Sequence, residues 1–159
     1  MVPGSMADVI AEGIPLSLHS DMPMAPAEPL KYMWAAVNRI STSGSVIGPE
    51  QRITAEEALK GITLGAAYSI QLEDQIGSIE RGKLANFTIL EENPLTVDPM
   101  ALADIGVWGT VLEGRVQPAP PRPGRDADET DAQLIIEEPE RVLEASLLHV
   151  RSMAHHHDH

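Results

Sequence analysis

This chain of 159 residues has no cysteine, a single phenylalanine and aromatic residues at only 3% of positions. The missing thiols rule out disulfides and thiolate metal sites, and they leave the redox compartment unmarked. With so few aromatic rings, the interior must be filled by aliphatic side chains and methionine, which pack adaptably and specify a core less sharply. Positive charge is scarce as well: 11 Lys and Arg stand against 24 Asp and Glu, a formal net charge of −13. Clustered basic residues are what a phosphate backbone requires, so nucleic acid is not an expected partner. No apolar run is long enough to span a bilayer. The N-terminus lacks a basic-then-apolar signal pattern, so residues 1–6 read as an appended leader and the expected location is the cytoplasm. No Gly-x-Ser-x-Gly elbow and no Gly-x-Gly-x-x-Gly loop occurs, which argues against a serine hydrolase of that type and against dinucleotide binding.

The length fits one domain with a tail, and a hydrophobic content of 43% is ordinary for a globular protein. The informative stretch is Gly13-Ile14-Pro15-Leu16-Ser17-Leu18-His19-Ser20-Asp21. Ile14 to Leu18 has the length and apolar character of one buried strand, and Pro23 and Pro26 end it. Delivery of titratable groups at the C-terminal end of a strand is how parallel α/β proteins build sites. On an extended strand His19 and Asp21 share a face, opposite to Ser20. The plainer reading is that Asp21 caps a turn and His19 satisfies a core hydrogen bond. Before this stretch, residues 7–12 suit a short helix stopped by Gly13. After it, Pro29 suits the first position of a helix with Leu30, Trp34, Val37 and Ile40 along one face.

Thr54 and Glu57 form a capping-box pattern that opens a helix lined by Leu59, Ile62 and Ala66, continuing to Ala67 and Ile70. Gly61 and Gly65 are costly inside a helix. They predict either close approach of another element or a break between two short helices. From Gly77 the period changes. Residues 81–83 read as a turn and residues 85–90 as a strand with Phe87 and Ile89 on one face. Asn93-Pro94 terminates that strand, and residues 107–117 carry a hairpin pattern with Glu113-Gly114 at the turn. Residues 118–132 form a Pro-rich and acidic linker. Residues 133–159 read as a short strand, an amphipathic helix with Val142, Leu143, Leu147 and Val150, and a His-rich tail.

Taken together, these motifs resemble the C-terminal part of metal-dependent amidohydrolases, in particular the YtcJ-like branch. Leu18-His19-Ser20-Asp21 with Pro23 and Pro26 resembles the end of the eighth barrel strand. Residues 53–59 resemble the helix that follows. Residues 64–68 and 76–86 resemble the return into a small β-sandwich, which Asn93-Pro94-Leu95 and the hairpin complete. The likeness runs over roughly residues 7–117. Asn86 departs from it, standing where the family usually has Asp. The chain from Pro118 onward also departs, and the first-strand His-x-His pair, the bridging lysine or acid and the middle-strand histidines are missing.

The resemblance implies an α/β fold: residues 7–76 as the last strand and helices of a (β/α)₈ barrel, a fold of about 250 residues, and residues 77–117 as closing strands of a sandwich. It implies a hydrolase acting on small amide or ester substrates through a water activated by a divalent metal, zinc for preference, with Asp21 as metal ligand and general base. His19 would be a further ligand or a group that orients Asp21. Catalytic zinc normally takes about three protein ligands, so one carboxylate is insufficient. Two other readings stay open. One is an inactive fragment that self-associates through unpaired strands as a homo-oligomer. The other is a metal-binding module built from His155, His157 and His159 with Asp158, a cluster that also matches a degenerate purification tag.

Overall fold

The computed structural model describes residues 5–21 and 23–120. Expectations for residues 1–4 and 121–159, including the distal strand, the amphipathic helix and the terminal histidines, lie outside the described residues.

Helix α1 (Met6–Ala11) is opened by a reciprocal capping box. The Ser5 hydroxyl accepts from the Asp8 N–H at 3.1 Å, and the Asp8 carboxylate accepts from the Ser5 N–H at 2.9 Å. Gly13 then takes a left-handed φ of 71°, which lets the chain turn out of the helix. Helix α2 (Pro29–Asn38) has its proline in the first turn, where no N–H is needed. Met33 is wholly buried and Ala36 is 4% exposed, so the buried face is centred there rather than on Leu30, Trp34 and Val37, which flank it. Ile40 falls beyond the helix, in an isolated bridge to Val46.

Helix α3 (Ala55–Ile62) begins with the expected capping box: the Glu57 N–H donates to Thr54 Oγ1 at 3.2 Å and the Thr54 N–H to Glu57 Oε2 at 2.7 Å. Helix α4 (Leu64–Ser69) follows after a break at Thr63. Both explanations of the glycines are therefore realised. The backbone breaks between them, and the chain at residues 16–18 lies against both. A Cβ on Gly65 would collide with the Leu16 carbonyl oxygen, and one on Gly61 would stand 3.1 Å from Leu18 Cγ. The expected apolar stripe does not extend to Ile70, which is 61% exposed just past α4.

The sheet is an antiparallel meander of strands β1 (Phe87–Leu90), β2 (Val107–Leu112) and β3 (Arg115–Pro118), in the order β1-β2-β3. Glu113 (φ 49°) and Gly114 (φ 79°) make the tight turn between β2 and β3. Two consecutive left-handed residues match the twist of a hairpin. A 3₁₀ segment, Pro99–Asp104, precedes β2 and carries Leu102, which is wholly buried. It packs against α2: the Trp34 indole N–H donates to the Met100 carbonyl at 3.1 Å and the Asn38 amide to the Pro99 carbonyl at 2.8 Å. Those bonds account for a buried asparagine. Met33, Ala36, Ile53, Ala58, Leu102 and Ile105 thus form one core that joins the helical part to the loop feeding the sheet.

The strand expected at Ile14 to Leu18 is not formed. These residues have no regular secondary structure, and among the described residues no neighbouring strand pairs with them. A strand exists only as a member of a ladder. Here the chain is held instead by the Leu18 N–H donating to the Gly61 carbonyl at 3.1 Å and by the contacts at Gly61 and Gly65.

Candidate functional site

His19 and Asp21 stand at the exit of this segment, and both are exposed. Asp21 has a φ of 56°. Aspartate is one of the few non-glycine residues that enters the left-handed region readily. Its backbone N–H donates to His19 Nδ1 at 3.1 Å, and its carbonyl accepts from the Met24 N–H at 2.9 Å. Asp21 therefore opens a turn, and His19 fixes that turn through the Asp21 main chain. The plainer reading thus holds for the turn at Asp21, but His19 is exposed, and its bond lies at the surface rather than in the core. The shared strand face expected for His19 and Asp21 is absent, because the left-handed residue rotates the chain out of the extended conformation. The Asp21 carboxylate projects from an ordered, hydrogen-bonded backbone at the protein surface.

This arrangement does not by itself hold a metal. Among the described residues there is no group of three or more His, Asp and Glu side chains that could ligate one ion. With Nδ1 accepting the Asp21 N–H, the Nε2 of neutral His19 carries the ring proton, so in this arrangement His19 offers no lone pair to an ion. Asp21 alone falls short of the three or so donors that catalytic zinc takes. His155, His157 and His159 lie outside the described residues.

A second polar cluster follows α4. Ser78 Oγ donates to Glu80 Oε1 at 2.5 Å, Lys83 Nζ donates to Ser78 Oγ at 2.5 Å, and Lys83 lies 3.4 Å from the same Glu80 oxygen. The Ser78 hydroxyl, and behind it the Lys83 cation, hold the Glu80 carboxyl below its ordinary range. Because the ammonium donates to the hydroxyl, it is not placed to take the serine proton. The cluster ties the turn at residues 81–83 and builds no nucleophile. Asn86, the departure noted in the sequence, serves the structure, since its side-chain oxygen accepts from the Glu113 N–H at 2.7 Å. It pins the hairpin turn to the start of β1, and an amide oxygen does this as well as a carboxylate would.

Sequence reasoning gives no reason to single out Glu73, an acidic residue in a turn. In the structure its Oε2 is shut off from solvent and has no hydrogen-bond partner among the described residues.

Comparison with known proteins places this geometry. The model of the amidohydrolase family matches residues 4–117. An N-substituted formamide deformylase from Arthrobacter pascens is 34% identical over 102 residues, covering 64% of this chain and 19% of that protein. The putative amidohydrolase YtcJ of Bacillus subtilis (strain 168) is 32% identical over 111 residues, covering 68% of this chain and 21% of the relative. The chain thus spans about a fifth of the length of these curated relatives. Among solved structures, an amidohydrolase from Thermotoga maritima MSB8 aligns with a TM-score of 0.52 at 23% identity, over 70% of this chain and 24% of that one. Escherichia coli guanine deaminase aligns with a TM-score of 0.54 at 21% identity, over 73% of this chain and 30% of that one. A family match over residues 4–117, most of the sequence, makes this chain a member of the amidohydrolase family.

Proposed function

We propose that the chain contributes the closing part of an amidohydrolase-type hydrolase, with its segment at residues 14–18 standing where the last barrel strand ends. Its substrates are small molecules with an amide or ester-type bond, and Asp21 is the catalytic carboxylate. The observation that carries this reading is the exposed Asp21 side chain, held on a left-handed, hydrogen-bonded turn at the end of a segment lying inside the family match. A carboxylate there can accept the proton of a water as it attacks the carbonyl carbon. It then returns that proton to the leaving amine or alkoxide. His19 positions this group by accepting the Asp21 N–H. A divalent ion, zinc for preference, would acidify the attacking water when bound. Asp21 would be part of its ligand set, and the remaining donors would come from outside the described residues.

The exposed β3 edge favours a second reading, association of copies without activity. Every residue of β3 is exposed, Leu112 beside it is 52% exposed, and an unpaired edge is a template for another strand.

One experiment addresses both. Hydrolysis of activated esters and amides is measured with zinc, with chelator and with Asp21→Asn, alongside the molar mass by light scattering. Activity that falls about 100-fold or more in the mutant and vanishes with chelator supports the hydrolase. Activity indifferent to both changes overturns the role of Asp21. Folded, associated protein without turnover establishes the second reading.

A further inference from the structure

Away from Asp21, a groove of about 390 Å³ opens between α1, the 13–16 segment and the α3–α4 pair. Its wall is mostly apolar, and three of its side chains, Ile14, Leu64 and Tyr68, are 50, 40 and 53% exposed. A contiguous apolar patch of this kind marks a surface that another element covers. Its charged rim is already engaged: the Glu57 carboxylate accepts from the Thr54 N–H and hydroxyl at 2.7 and 2.9 Å, and Lys60 pairs with Glu56 at 2.8 Å. The groove therefore calls for an apolar stripe rather than a charged group. The chain carries one. The family match ends at residue 117, and the sequence beyond it includes Val142, Leu143, Leu147 and Val150. Wound as a helix, these four fall within an arc of about 140°, the width of a face that packs on a protein surface. Around them Arg141 and Arg151 balance Glu140 and Glu144, so the segment brings no net charge to a strongly acidic protein. Reach is ample. From Pro120, residues 121–138 span on the order of 50 Å at about 3.1 Å per residue, against a radius of gyration of roughly 13 Å for a domain of this size.

We infer that residues 139–150 dock in this groove as an amphipathic helix, with Val142, Leu143, Leu147 and Val150 laid against Ile14, Leu64 and Tyr68. Insertion of one apolar helix face into an apolar groove is a common mode of recognition. A tether places the segment at millimolar effective concentration, so a modest contact suffices. Docked there, the helix presses residues 13–16 onto the Gly61–Gly65 step and braces the stretch that leads to the Asp21 turn. The contact shares no residue with that turn, so it goes beyond the hydrolytic reading and stands if that reading fails.

The chain has no cysteine, so an introduced pair reports proximity without background. In the full chain, Lys60→Cys on the groove rim is combined with Ser146→Cys inside the stripe. The comparison pair is Thr88→Cys, exposed on β1 and away from the groove, with the same Ser146→Cys. Both domain positions are exposed surface sites, where a substitution leaves the fold in place. In a glutathione redox buffer, disulfide closure within one chain is expected to run about ten-fold faster for the Lys60 pair than for the Thr88 pair. Adding Leu147→Asp, which puts a charge into the stripe, is expected to bring the two rates together. Equal rates in the absence of Leu147→Asp overturn the proposal. So does an advantage of the Lys60 pair that survives Leu147→Asp. Disulfides that join two chains instead of closing one assign the groove to a second copy, and likewise overturn it.

Discussion

Residues 14–18 and residues 107–117 both read as β-forming sequence, yet only the second becomes part of a sheet, which also takes in Pro118 from the expected linker. Strand β2 meets β3 across the two-residue turn at Glu113-Gly114, with Leu112 opposite Arg115 and Val111 opposite Val116. Its ladder partner is delivered by the chain itself at small entropic cost. Ile14 to Leu18 has no such neighbour among the described residues and settles on two glycines of a helix pair instead. β-propensity is a statement about fitting a pleated surface. Where the chain supplies that surface locally, the propensity is realised; where the surface is another part of a larger fold, no strand forms.

The sharpest way to break this contrast is at Gly65. Gly65→Ala sets a methyl group against the Leu16 carbonyl, a backbone atom with little room to yield. The expected loss is about 3 kcal/mol by urea unfolding, with amide exchange rising first at residues 14–18. Gly114→Ala attacks the other side of the comparison. It places a side chain at φ 79° and is expected to cost about 1 kcal/mol, read as faster exchange confined to β2 and β3. Near-equal losses from the two substitutions would mean that the 14–18 segment is not held by the glycine step.

The smallest effect lies at the cap of α1. The Ser5 main-chain N–H, then its hydroxyl, hold the Asp8 carboxyl below its ordinary value. A depressed folded-state value stabilises the cap above the unfolded pKa, and that contribution is lost as pH falls through the folded value. Local exchange protection in α1 is therefore expected to decline on acidification below about pH 4. Asp8→Asn, which removes the titrating group, is expected to flatten that decline.

Much of the architecture was legible in the sequence because it rests on local chemistry. Thr54 with Glu57, Pro29 at a helix start, Gly13 at a helix end, and Glu113-Gly114 between alternating residues each specify a structure within a few positions. The centre of the α2 face at Met33 and Ala36 was less legible, since helical spacing also admits the neighbouring stripe through Trp34 and Val37, and only the 3₁₀ segment around Leu102 decides between them. Asp21 was legible as a residue of interest. The turn there was legible too; its left-handed backbone was not, because no pattern of residue types marks which residue of a turn takes a positive φ. Glu73 left no trace in the sequence at all: an orphaned oxygen is a property of packing, and no pattern of residue types encodes it.

The left-handed backbone of Asp21 also determines which substitutions there are interpretable. Asparagine is nearly isosteric with aspartate and is similarly at ease at positive φ. Asp21→Asn thus exchanges the carboxylate for an amide while the main chain keeps its course. Alanine or a β-branched residue would relax or strain the turn itself, mixing a change of shape into a change of charge. The conformation of this single residue makes it a position where electrostatics can be edited separately from geometry.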